Sequence, residues 1–249
     1  MQYRASFLMM SAGLFLVTGV EFMGIVALFD RFKMLATWRL EEVALFYGLV
    51  SIAFALAEAM ARGFDKFDLM VKTGSFDRIL LRPRSSVLQV AAQDLQLMRV
   101  GRLAQGLAVL LWASYRLDIE WNVAKEFLVI LTIIGGMCLF YGLFVLQAVI
   151  CFWSTETLEI VNVTTYGGVE AAQFPISIYR PSFRKFFTFV VPLACITYFP
   201  ALAILGRDDP VMGSPVWFRW SAPLIGILFL FICLRVWKIG VRHYRSTGS

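Results

Sequence analysis

One histidine, His243, stands in the whole chain, and no Cys-x-x-Cys pair accompanies it. Zinc binding and imidazole acid–base catalysis therefore have almost nothing to work with. The four cysteines, Cys138, Cys151, Cys195 and Cys233, each fall inside an apolar run, the pattern of buried free thiols and not of disulfides or a metal site. No lysine follows a glycine, so the phosphate-cradling G-x-x-x-x-G-K-[ST] loop is absent, as are G-x-S-x-G, H-E-x-x-H and G-x-G-x-x-G. The chain cannot hydrolyse ATP through such a loop, and no set of residues suggests an enzyme. Charge is scarce too: Asp, Glu, Lys and Arg make up 16% of residues, against about 25% in soluble domains.

What fills the chain is apolar. Hydrophobic residues reach 59% and the mean hydropathy is +0.74, which reads as an all-α polytopic membrane protein built as one domain over residues 1–249. The lipid bilayer is its first partner. The net charge of +6 fits the positive-inside bias of cytoplasmic loops better than nucleic-acid binding. Spanning takes roughly 20 apolar residues, and six stretches are expected to do so: 5–29, 43–61, 103–117, 126–153, 156–175 and 216–238. The first contains Glu21, is too long for a signal peptide and lacks a small-x-small cleavage site, so it reads as a span. In the second, Ser51, Ala55 and Ala59, and likewise Ala53, Ala57 and Ala61, recur every four residues, a spacing that lets helix backbones approach closely. The last ends on Arg235, Lys238, Arg242 and Arg245, an amphipathic exit that puts the C-terminus, like the N-terminus, in the cytoplasm of a cell bounded by a plasma (inner) membrane.

Residues 62–102 hold eight of the 23 basic residues, which marks them as a cytoplasmic loop. Gly74 is expected to end a short helix begun near Phe64. Ser75 would cap a new turn, Phe76 to Leu81, cut off by Pro83. Ser86 and Gln89 have capping-box spacing and should start a helix running without a break through Arg99 and Arg102 into the third span, its first turns in water.

Residues 126–179 contain no Lys or Arg, a stretch long enough for two spans. Beyond it, prolines at 175, 181, 192 and 200 surround Arg180, Arg184 and Lys185. Keeping 154–185 cytoplasmic would put 16 of 23 basic residues inside, whereas letting 156–175 span puts 13 inside. Charge counting prefers the first arrangement. The second makes the prolines intelligible as a broken, re-entrant segment over 176–206.

Ionisable groups inside spans mark candidate sites. Glu58 lies four residues before Arg62 and is expected to pair with it locally. Glu21 and Glu170 have no basic residue within four positions and are candidates to face a polar path. Asn162 joins them from the most polar span.

Three regions together resemble a known family. They are Gly74-Ser75-Phe76-Asp77-x-x-Leu80-Leu81-Arg82-Pro83, then Tyr166-Gly167-Gly168 through Phe174-Pro175 to Tyr198-Phe199-Pro200, and the ending Trp237-x-x-Gly240-x-x-x-Tyr244. In this order they are similar to permeases of the ABC type-2 transporter family, in particular an exporter-like branch, over nearly the whole chain. The resemblance implies a coupling helix after span two that docks on a separate ATPase subunit, where ATP and Mg would bind; this chain would need no cofactor. Phe76, Ile79, Leu80 and Leu81 would present an apolar knob, with Asp77, Arg78, Arg82 and Arg84 fixing its orientation. It further implies re-entry after span five, which favours the second arrangement, and a second permease, a sister chain more than a copy. One departure is that four residues before the first span leave little room for the interfacial elbow helix of this family. A secondary transporter, which usually shows paired broken helices in matching halves, and a non-transporting scaffold or assembly factor are the rival readings.

Overall fold

The computed structural model describes residues 4–153, 158–209 and 211–244, with side chains left out of the description over 158–164. Long apolar runs become long helices because in lipid each backbone group must be satisfied within its own segment. They are α1 (Arg4–Phe32), α2 (Leu40–Ala61), α7 (Val123–Ile150) and α13 (Leu224–His243), each long and apolar enough to cross a membrane. A tight turn at Arg62–Lys66 prolongs α2 into α3 (Phe67–Lys72). Then come α4 (Ser75–Leu80), α5 (Ser86–Ala91) and, ahead of α7, α6 (Val100–Arg116). After α7 follow α8 (Leu158–Ala172), α9 (Pro181–Lys185), α10 (Leu193–Ile196), α11 (Tyr198–Leu205) and α12 (Val216–Ser221). No strand occurs among the described residues. Four helices thus meet the length and hydropathy of a span, five if the bent pair Pro181–Val190 and Leu193–Leu205 counts as one. The expected third and fifth spans are shorter: 17 residues in α6 and 15 in α8, about 26 and 22 Å at 1.5 Å per residue. The expected sixth span is split, since Pro223 lacks the amide that would join α12 to α13.

Close approach organises the packing. Gly135 and Gly142 on α7 face Gly226 and Cys233 on α13 in the same order, so the two helices run parallel. A Cβ at Gly226 would lie 2.1 Å from the Gly135 carbonyl oxygen, so only glycine permits this contact. The small-residue rows of α2 also pack: Ser51 against Gly106 of α6 and Ala53 against Gly136 of α7. Helix α2 is therefore central, with 83% of its most apolar window buried, whereas α1 has 17% buried and shows most of its apolar surface.

The 62–102 loop departs from its expected local chemistry in three places. Gly74 does end the first piece, at φ 67°, but Ser75 does not cap α4; its hydroxyl donates back to the Met70 carbonyl. Ser86 and Gln89 form no capping box. The Gln89 amide donates to the carbonyls of Ile79 and Arg84, and the Ser86 hydroxyl accepts from the Trp237 indole at 3.0 Å. Nor does α5 run on into α6: the chain breaks after Ala91, and the Gln96 amide donates to the Ala59 carbonyl of α2 at 3.2 Å. At Ser86 and Gln96 a partner distant in sequence wins, Trp237 and Ala59, whereas Ser75 turns to a carbonyl only five residues back; in each case a polar group takes the partner within reach.

At the opposite end lies the α1–α2 connection. The segment between Ser177 and Arg207 touches it twice. The Trp38 indole donates to Ser177 at 2.9 Å, while Arg207 pairs with Glu42 at 3.1 Å and sits 4.8 Å from the centre of the Trp38 ring. Between these points the chain bends by 73° at Val191–Pro192, and Ile196 reaches Gly136 and Gly226 inside the bundle.

Candidate coupling surface and ionic cluster

Helix α4 is held by rings. Phe76 is fully buried, its ring centre 5.0 Å from Phe67, 5.1 Å from Tyr244, 5.8 Å from Phe152 and 6.2 Å from Trp237. These rings come from α3, the residues after α7, and α13, so three elements close on one side chain. Burial, followed by the nearby Asp77 carboxylate, pushes the Tyr244 hydroxyl up to about 12. The expected four-residue knob is therefore divided. Phe76 and Ile79 point inward and cannot be offered to a partner; Leu80 and Leu81 are 40% and 84% exposed. Arg78, Arg82 and Arg84 are exposed beside them, and Asp77 is half-buried. Six residues suffice for this split because a helix turns 100° per residue.

Nearer the middle of the bundle the loop closes over buried charge. Glu58, with its side chain 3% exposed, meets Arg62 at 3.4 Å as the i,i+4 spacing suggested. It also meets Arg99 at 3.0 Å and Arg102 at 3.7 Å. Arg62 in turn pairs with Asp65 at 2.6 Å and donates to the Tyr166 hydroxyl of α8. Arg102 reaches Glu21 of α1 at 3.6 Å and lies 5.2 Å from the centre of the Phe54 ring. Glu21, Glu58 and Asp65 balance Arg62, Arg99 and Arg102, which is what such depth demands, since an uncompensated charge away from water costs several kcal/mol. The expectation that Arg99 and Arg102 stand in water fails: their side chains are 15% and 14% exposed.

Glu170 lies on the exposed side of α8, and its electrostatic neighbours are Glu21 and Arg102. Asn162 lies one turn before Tyr166 on the same helix, but its side chain is outside the described residues. Sequence reasoning missed Arg99, Arg102, Asp65 and Tyr166. A signal was there in the i,i+3 stripe Arg99, Arg102, Gln105, a polar line along one face of an otherwise apolar helix.

Apolar helices of spanning length around a charge-balanced interior define a multi-pass membrane protein. The chain belongs to the ABC-2 transporter family: the model described as ABC-2 family transporter protein matches residues 15–248. It is accordingly a permease, the membrane component of a transporter, and permeases of this family usually work with ABC ATPase partners. No curated protein and no solved structure matches the chain.

Proposed function

We propose that this chain is the permease subunit of an ATP-driven exporter, docking a separate ATPase at α4 and forming half of the pathway with a sister permease. The observation that carries this is the divided helix α4. A docking element must show one face and transmit through the other, and here Leu80 and Leu81 are exposed while Phe76 is wedged among Phe67, Phe152, Trp237 and Tyr244. A push on α4 from an ATPase closing on ATP and Mg would thus reach α7 and α13 through ring contacts without slack.

Helix directions support a reading with six crossings. Ser11 and Phe15 of α1 meet Gly101 while Phe22 meets Trp112, so α1 and α6 run the same way. Gly48 meets Leu110 and Ser51 meets Gly106, so α2 runs against them. Helix α8 follows Trp153, which stacks near His243, and leads to Ser177 beside Trp38; this supports a short fifth crossing. The return of Arg207 to Trp38 supports re-entry of 176–206 from the outer side, with the basic loop and both termini in the cytoplasm. Glu21 and Glu170 edge the path, joined by Asn162, and the carboxylates suit a cationic or amphipathic cargo.

The test is Leu80→Asp together with Leu81→Asp. Both side chains are exposed, so insertion and folding should persist while a co-purifying ATPase is lost. Undiminished recovery of the ATPase would refute the assignment. Absence of any ATPase from the wild-type preparation would favour a secondary transporter or a scaffold.

A further inference from the structure

Two cavities adjoin on the flank between α5 and α13. One, of about 590 Å³, is lined by apolar side chains, among them Leu88, Leu95, Met137, Cys138 and Leu230. The other, of about 580 Å³, is lined by Arg235 and Lys238. Ser85, Val87 and Leu234 line both, so the two are one continuous groove. Each part falls in the range of about 300–1,000 Å³ that holds a small ligand.

The order of the lining along α13 gives the occupant its polarity. Leu230 lies towards the middle of the bundle, while Arg235 and Lys238 follow one and two turns nearer the helix end. The ion pairs of the described residues include neither cation, whereas the arginines of the interior cluster each meet a carboxylate. An apolar trough leading outward to two cations, on a membrane-spanning helix, matches a molecule with an apolar tail and an anionic head. Basic pockets between membrane helices bind such headgroups, each Lys or Arg adding appreciably to the attraction. We propose that this groove is a specific site for an anionic phospholipid, its acyl chain along Leu88, Leu95 and Cys138 and its phosphate between Arg235 and Lys238. The bound lipid would lie against the far side of Trp237, the ring that backs Phe76, and so would brace the same cluster that holds α4.

The protein, purified with its partners into phosphatidylcholine nanodiscs, is given phosphatidylglycerol carrying a photoreactive group in its acyl chain, and the labelled peptides are mapped. Labels should concentrate on residues 137–141 and 230–234 and be displaced by plain phosphatidylglycerol but not by phosphatidylcholine. Arg235→Gln with Lys238→Gln should weaken this preference about 30-fold. Ala92→Trp, at an exposed position lining the trough, should block labelling while both cations remain. Equal labelling by photoreactive phosphatidylcholine, or a preference unchanged in the double variant, would mean unselected lipid and overturn the proposal. So would labelling no denser than along the exposed face of α1. Absence of all labelling, as when another protein chain fills the groove, would overturn it as well.

Discussion

Replacing Phe76 by alanine probes whether α4 is built on the bundle or hangs from it. The side chain is fully buried with four rings about it, at centre-to-centre distances of 5.0 to 6.2 Å. Truncating a buried Phe costs about 3–5 kcal/mol, and lost edge-to-face contacts, worth roughly 0.5–1.5 kcal/mol each, place this site in the upper half of that range. For a chain of this size, about 4 kcal/mol corresponds to a fall in Tm of roughly 8–16 °C. The four buried thiols provide the assay, because a thiol-reactive fluorogenic dye labels them only as the fold opens. Cys151 adjoins Phe152 and is 2% exposed, so its labelling should speed up first and most. Leu81→Ala is the control: an exposed site should cost less than about 0.5 kcal/mol and leave the thiols protected. If Phe76→Ala shifted Tm no more than Leu81→Ala, the ring cluster would not carry α4, and the rigid relay would be wrong.

A cysteine in place of Ser182, in a background free of the native four, should react with an impermeant thiol reagent in intact cells; reaction only after the membrane is opened would return 176–206 to the cytoplasm. Glu170→Gln keeps the shape and removes the charge, and loss of a charged contact should lower export of a cationic cargo about tenfold or more at unchanged protein level. Since Glu21 is its electrostatic neighbour, the double change should be less than additive; loss of folded protein alone would make Glu170 a packing group. Burial alone would raise the Asp209 carboxyl, but amides of Val211, Met212 and Ser214 donate to it and hold it below its ordinary value. Its stabilisation is therefore present above the unfolded value of about 4 and lost as pH falls through the folded one, so the Tm gap between wild type and Asp209→Asn should be widest near neutrality and close in acid. A gap independent of pH would contradict this.

By itself the sequence determined the long helices, because crossing lipid requires apolar length and internally satisfied backbone, and both are local properties. It also determined the punctuation at Gly74 and Pro83, where the chemistry sits in the residue itself. The pairing of Glu58 with Arg62 was legible for the same reason, as four residues make one helical turn. The tertiary structure decided what depends on partners remote along the chain. Which of Phe76, Ile79, Leu80 and Leu81 faces inward depends on Trp237 and Tyr244, more than 150 residues away. That Arg99 and Arg102 leave water for Glu58 and Glu21 depends on where α6 lies against α1 and α2. The capping sign at Ser86 was overridden by the Trp237 indole, 151 residues away. Only the packed bundle brings such groups within hydrogen-bond reach, and a buried polar group takes the partner that is there.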